Sequence, residues 1–73
     1  MPDLSQLPSI DQLLQLEEVQ NLEGRFGRPL TLRALRSVID EIRREALEEK
    51  RDLPSTDAIR QRTAARLEAW ISP

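Results

Sequence analysis

The sequence predicts an all-α protein, a small bundle of three to four helices with short connections. Its 73 residues suffice for one thin core, so residues 1–73 are expected to form a single domain. Apolar residues recur at spacings of three and four, which is the helical period, and no strand-like alternation interrupts them. Proline and capping residues separate the apolar segments into helices. Residues 1–8 precede the first helix signal and are expected to be flexible.

The first helix is predicted from a capping box at Ser9 and Gln12. The Ser9 hydroxyl can accept from the Gln12 amide while the Gln12 side chain returns to the Ser9 amide. Pro8 prevents a helix from continuing upstream, so this helix should begin at Ile10. Asp11 in the first turn suits the positive end of the helix dipole.

The apolar pattern then changes phase, which predicts two short helical pieces meeting near Gln15 or Leu16. Gly24 and Gly27 are expected to close this region. The first phase is set by Ile10, Leu13 and Leu14, and the second by Leu16, Val19 and Leu22.

The clearest helix follows, because one face is continuously apolar for about four turns. Pro29 suits its first turn and Thr31 is a plausible cap, so its start should lie within 29–31. It should run to about Lys50 and be followed by a linker at 52–54. The apolar face is formed by Leu32, Leu35, Val38, Ile39, Ile42 and Ala46.

Ser55 or Thr56 is expected to cap the last helix, with Asp57 again near the start. Trp70 shares the spacing of the apolar face and is therefore expected in the core. That face consists of Ile59, Thr63, Leu67 and Trp70.

Composition excludes several function classes. The chain has no cysteine and no histidine, so disulfides, thiol nucleophiles, histidine acid–base catalysis and soft metal sites are excluded. No apolar run approaches the ~20 residues of a membrane span, and the N-terminus does not read as a signal peptide. A cytoplasmic protein is expected. Lys50, the only lysine, is placed to complement a helix dipole rather than to form a Schiff base.

Charged residues occur in blocks of alternating net sign along the chain. Net charge is -5 over residues 1–24, +4 over 25–44, -3 over 45–57 and +2 over 58–73, so a total of -2 hides two basic stretches. A basic segment within an acidic chain suggests a polyanionic partner. The larger stretch contains Arg25, Arg28, Arg33, Arg36, Arg43 and Arg44.

For some of these arginines a solvated helix face is the simpler interpretation. Arg44 has carboxylates at i-4 and i-3, and both Arg36 and Arg43 can reach Asp40. Arg33 has no carboxylate at helical spacing.

Arg25 and Arg28 are predicted to lie in a glycine-flanked loop beside the unpaired amides of the long helix. That arrangement attracts phosphate, although surface solubility or a contact with the acidic N-terminal block would also explain it. Arg62 and Arg66 lack a local acid, and they either extend the basic surface or, as we favour, pair across helices with acids at 17–18.

Several short motifs occur in a characteristic order. Together, from about Ser5 to Pro73, they resemble the N-terminal domain of bacterial selenocysteine synthase, L-seryl-tRNA(Sec) selenium transferase. The motifs are Leu7-Pro8-Ser9-Ile10-Asp11-Gln12-Leu13-Leu14, Gly27-Arg28-Pro29-Leu30, Arg36-Ser37-Val38-Ile39-Asp40-Glu41-Ile42-Arg43, Leu53-Pro54 and Ala65-Arg66-Leu67-Glu68.

The resemblance implies a non-catalytic domain that recognises tRNA(Sec), notably its D-arm. The parent enzyme would convert seryl-tRNA(Sec) to selenocysteinyl-tRNA(Sec) with pyridoxal phosphate and selenophosphate, in a ring-shaped homo-oligomer. Its catalytic domain, a second implied partner, is expected to be absent from this sequence, which would then hold no cofactor or metal and have no enzymatic activity.

Applied to this chain, the implied role gives two groups of RNA-binding residues. The first group is Arg25, Arg28, Arg33 and Arg36; the second is Arg62 and Arg66. An alternative is a helical protein-interaction module, docking on a partner or on the parent catalytic domain through an exposed patch around Leu16, Val19 or Phe26. A compact DNA-binding domain is less favoured, because the last helix lacks base-reading side chains near its start.

Overall fold

The computed structural model describes residues 7–50 and 52–72. Within these ranges the chain is helical and contains no strand, which confirms the predicted all-α bundle. Its principal extents are 36 × 28 × 17 Å, so it is about two helices thick. The elements are α1 (Ile10–Leu14), α2 (Glu17–Phe26), α3 (Arg28–Glu48) and α4 (Thr56–Ile71).

The first helix begins as predicted. The Ser9 amide donates to the Gln12 side chain at 2.9 Å, and the Gln12 amide donates to the Ser9 hydroxyl at 3.1 Å. The predicted interruption is also confirmed, since α1 ends at Leu14 and α2 begins at Glu17. Residues 1–6 of the segment expected to be flexible lie outside the described residues, whereas Leu7 packs against the core.

The junction between α2 and α3 corrects the sequence interpretation. Gly27 alone separates the two helices, with φ 88° and ψ 147°, while Gly24 lies inside α2. The predicted loop therefore does not exist. Thr31 is not a cap: it is buried, and its hydroxyl donates to the Gly27 carbonyl at 2.8 Å. Pro29 lies in the first turn as expected.

Helix α3 is the central element of the bundle. It starts one residue before the predicted range and ends at Glu48, two residues before the predicted Lys50. Leu32, expected on the buried face, is only half-buried, whereas Ala34 is fully buried. The buried face consists of Thr31, Ala34, Leu35, Val38, Ile39, Ile42 and Ala46.

Two apolar clusters join the other helices to α3. Leu13 of α1, Val19 of α2 and Ile59 of α4 pack with the middle of α3. Leu22 and Leu67 pack with the N-terminal part of α3. The opposite side of α3 therefore stays uncovered by α1, α2 and α4.

Helix α4 is capped by Ser55, whose hydroxyl accepts from the Ala58 amide at 3.1 Å. Ile59, Thr63 and Leu67 are buried as predicted. Trp70 is 43% exposed, so its expected place in the core is wrong. Leu67 is the last α4 side chain that the other helices enclose, and Trp70 lies one turn beyond it at the edge of the bundle.

Candidate functional site

The uncovered face of α3 carries a row of arginines. Four of them are exposed, and we refer to Arg33, Arg36, Arg43 and Arg44 as the arginine stripe. On the helical wheel Arg33 and Arg44 lie opposite the buried face, and Arg36 and Arg43 flank it. At 1.5 Å per residue the stripe extends along about 16 Å of the helix axis. Asp40 lies among these residues, which leaves the stripe with a net charge of +3.

The arginine stripe is not neutralised by ion pairs. Within residues 7–50 and 52–72, none of its four guanidinium groups contacts a carboxylate. The interpretation of Arg36, Arg43 and Arg44 as a solvated helix face agrees with their exposure. The acids within helical reach of them, Asp40 and Glu41, nevertheless form no ion pair with them. Glu41 is unavailable to Arg44 because it contacts α4 instead.

The contacts of Glu41 belong to an ion-pair cluster between α3 and α4, formed by Glu41, Glu45, Arg62 and Arg66. Arg62 lies 3.5 Å from Glu41 and 3.3 Å from Glu45. One terminal guanidinium nitrogen of Arg66 donates a hydrogen bond to the Glu41 carboxylate, and the other donates one to the Ser37 hydroxyl at 2.8 Å. These contacts show that α3 and α4 run antiparallel, because higher α4 numbers meet lower α3 numbers.

The predicted cross-helix pairing of Arg62 and Arg66 is confirmed, although the partners differ from those expected. Glu17 and Glu18 were proposed as partners, but both are exposed on the first turn of α2. The acids that Arg62 and Arg66 contact come from α3, the helix that packs along α4. Local spacing could not reveal this, because partners more than one turn apart depend on how the helices are rotated.

The cluster perturbs the titration of Glu41. The hydrogen bond from Arg66 lowers the pKa of this carboxyl below its ordinary value of 4.5, and the charges of Arg66 and Arg62 act in the same direction. Partial burial opposes them, because it penalises the charged form. Glu41 therefore stays ionised under ordinary conditions, and its charge is compensated within the cluster.

Arg25 and Arg28 do not share a loop. Arg25 lies in the last turn of α2, 3.8 Å from Glu68 and 4.9 Å from the centre of the Phe26 ring. Both members of the Arg25–Glu68 pair are about three-fifths exposed, so the pair contributes little energy. Arg28 is the first residue of α3, is exposed, and forms no ion pair with any described residue.

The structure therefore regroups the predicted residues. Arg33 and Arg36 lie on one surface with Arg43 and Arg44, which sequence reasoning had treated as locally neutralised. Their position on the polar side of the helical wheel was the signal that could have included them. Arg62 and Arg66 instead lie at the half-buried α3–α4 contact.

Acids are exposed on the two short helices. Asp11, Glu17 and Glu18 are exposed on α1 and α2, and these helices pack against the buried face of α3. On α3 itself Asp40 and Glu48 are also exposed.

Other surfaces offer less for anion binding. A pocket of about 220 Å³ is lined by Leu16, Glu18, Thr56, Asp57 and Arg60. Among its described lining residues Arg60 is the one cation, and it is bound to Asp57 at 2.8 Å. The two carboxylates of the lining would repel a phosphate. Across the described ranges there is no group of acidic side chains that could hold a metal. In the same ranges, no helix is long and apolar enough to cross a membrane.

The predicted apolar docking patch is also wrong as placed. Val19 is fully buried, and Leu16 and Phe26 are half-buried against the core. The large apolar side chains that are exposed within the described ranges lie elsewhere: Leu47, Trp70 and Ile71.

Comparison with known proteins gives one family. A family model described as "Selenocysteine synthase N terminal" matches residues 4–43, more than half of the chain. That span includes α1, α2 and most of α3. Comparisons with curated proteins and with solved structures give no match.

Proposed function

The chain belongs to the selenocysteine synthase N-terminal family, and we propose that it is a non-catalytic domain that binds tRNA(Sec). In this proposal it helps the parent enzyme convert seryl-tRNA(Sec) to selenocysteinyl-tRNA(Sec) in the cytoplasm. The parent is a pyridoxal-phosphate-dependent, ring-shaped homo-oligomer, and its catalytic domain is the second partner.

The observation that carries the proposal is the arginine stripe. Its four guanidinium groups lie on one helix face and form no ion pair with the described residues. They therefore attract phosphates strongly. Arginine suits this role because its planar fork binds phosphate oxygens in pairs. Arg28 is a further exposed arginine at the N-terminal end of α3, where the helix dipole adds partial positive charge.

The composition of the α3 face favours folded RNA over single strands. Single-strand binding relies on aromatic side chains that stack on bases. The two aromatic residues of the chain, Phe26 and Trp70, lie on α2 and α4 rather than on the stripe. Phosphates along a duplex arm are therefore the best-fitting ligand, and selection of tRNA(Sec) would come from the shape of its arms.

Pyridoxal phosphate does not fit the residues of this chain. Its covalent attachment requires a lysine held in a shielded site. Lys50, the sole lysine of the sequence, is exposed just beyond α3 with φ 54°. The cofactor therefore belongs, in our proposal, to the catalytic domain of the parent enzyme.

The test is titration of tRNA(Sec) by fluorescence anisotropy at several salt concentrations. If all four stripe arginines meet phosphates, the slope of log K against log salt should be about -3.6, at roughly -0.9 per contact. Arg33→Gln should reduce its magnitude by about 0.9 and weaken binding. Arg60→Gln is the matched control, because it removes the same charge from a residue paired with Asp57 outside the stripe.

Two outcomes would count against RNA binding at this surface. One is an absence of binding to tRNA(Sec) at low salt. The other is an equal loss for Arg60→Gln and Arg33→Gln, which would mean that total charge, rather than the stripe, governs the interaction. A titration with tRNA(Ser) in parallel measures selectivity.

A second candidate function, docking on the parent catalytic domain, is favoured by the end of α4. Trp70 and Ile71 are both exposed there, 43% and 59% respectively. If they dock on a protein surface, Trp70→Ala should weaken RNA-independent association with the separately expressed catalytic domain while leaving the tRNA(Sec) titration unchanged. An unaltered association would remove this candidate.

A further inference from the structure

The ion-pair cluster lies beside the arginine stripe on the same helix. Glu41 precedes Arg44 by three residues, a spacing at which side chains on a helix are neighbours. In the structure this carboxylate is turned toward α4, where Arg66 and Arg62 contact it. An acid that could lower the charge of the stripe is thus bound by another helix.

We infer that Arg62 and Arg66 support RNA binding as positioning residues, by holding and neutralising Glu41 beside the stripe rather than by contacting RNA. The inference rests on the proposed function of the stripe. It assigns these two arginines a role distinct from that of Arg33 and Arg36, although all of them carry the same charge.

The geometry of Arg66 supports this role. Its two terminal nitrogens donate to different partners, one to the Glu41 carboxylate and the other to the Ser37 hydroxyl at 2.8 Å. The side chain is only 21% exposed. To reach a phosphate, Arg66 would have to leave both partners and expose Glu41, which would place a new negative charge next to the ligand.

The charge balance of the cluster points the same way. Two arginines face two glutamates, so the cluster contributes no net charge to the surface. Removing one arginine leaves one glutamate uncompensated. Because Glu41 is half-buried, salt screens its effect on Arg44 less than it would screen that of a fully exposed acid.

A double-variant experiment separates positioning from direct contact. We would measure the affinity of tRNA(Sec) for the wild-type chain, Arg66→Gln, Glu41→Gln and the variant carrying both changes. Positioning predicts that Arg66→Gln weakens binding roughly two- to fivefold, the effect of an exposed charge interaction. It also predicts that the combined variant, which lacks Arg66 but also lacks the charge of Glu41, returns close to wild-type affinity.

Direct contact predicts a different result for the combined variant. If Arg66 binds a phosphate, removal of Glu41 relieves repulsion but cannot replace the lost contact, so the combined variant should stay weaker than the wild type. Its salt slope should then also fall by about 0.9, which measures one lost phosphate contact. Either result would overturn the positioning role while leaving the proposed function standing. Failure of the wild-type chain to bind at low salt would overturn both.

Folding of the variants is followed by circular dichroism and thermal unfolding. If the Arg66 variants do not fold, the same comparison uses Arg62→Gln, Glu41→Gln and their combination, because Arg62 also contacts Glu41, at 3.5 Å. A combined variant at wild-type affinity supports positioning, and one that stays weaker than the wild type contradicts it.

Discussion

Alanine substitutions at the two glycines of the α2–α3 region, Gly24 and Gly27, should change the free energy of unfolding in opposite directions. Gly27 has φ 88° and ψ 147°, a conformation that residues with a Cβ rarely adopt. A Cβ placed there would meet no atom within 4 Å, so the cost of Gly27→Ala comes from the backbone alone. That cost is about 1–3 kcal/mol for a residue held in a sparsely populated region.

Gly24 is the matched control. It lies inside α2, has no positive φ, and a Cβ there would also meet nothing within 4 Å. Gly24→Ala should therefore stabilise the domain by about 0.5–1 kcal/mol, since alanine restricts the unfolded chain and favours the helix. The two variants should differ by about 1.5–4 kcal/mol, the sum of the two effects.

Urea and thermal unfolding followed by circular dichroism measure these differences. For a domain of this size, 1 kcal/mol shifts the midpoint temperature by about 4–8 °C. Because total stability is roughly 3–5 kcal/mol, a cost of about 1–3 kcal/mol would leave Gly27→Ala with about 0–4 kcal/mol. A Gly27→Ala variant as stable as the wild type, or a loss of equal size in Gly24→Ala, would refute the reasoning from backbone conformation.

Three further perturbations test the packing, capping and ion pairs. Ile42→Ala should cost about 2–5 kcal/mol because Ile42 is 1% exposed, whereas Leu47→Ala, at a 61% exposed position, should change the unfolding free energy by less than about 0.5 kcal/mol. Ser9→Ala removes the acceptor of the α1 capping box and should cost about 1 kcal/mol in urea unfolding. The lowered pKa of Glu41 stabilises the fold fully above its ordinary pKa of 4.5, and this stabilisation is lost as the pH falls through the lower folded-state pKa. Glu41→Gln should remove that part of the pH dependence of the unfolding free energy.

The sequence predicted those features correctly in which the interacting residues lie within one helical turn of each other. The Ser9 and Ser55 caps, Pro29 in the first turn of α3, and the interruption before Glu17 all depend on neighbours in sequence. Local spacing was less informative at the α2–α3 junction, where Gly24 and Gly27 had been expected to close the region together. Only Gly27 adopts the positive φ that separates the helices, and nothing in the spacing distinguishes the two glycines.

The candidate site was predicted in part for the same reason. Arg33 and Arg36 were predicted because they lie near the start of the long helix, and Arg33 also has no acid at helical spacing. Arg43 and Arg44 were set aside because acids lie at helical spacing from them, yet Asp40 forms no ion pair with the described residues and Glu41 is bound by α4. The RNA-binding role of each arginine stays a prediction to be tested by the titrations above.

The sequence by itself determined the helical class, the caps at Ser9 and Ser55, most of the buried face of α3 and the blocks of charge. These follow from interactions between residues a few positions apart, or from composition alone. Only the tertiary structure decided which acid compensates which arginine, because Glu41 can pair either with Arg44 on its own helix or with two arginines of α4. The antiparallel packing of α3 on α4 brings Arg66 and Arg62 to Glu41. Arg44 therefore remains without this partner.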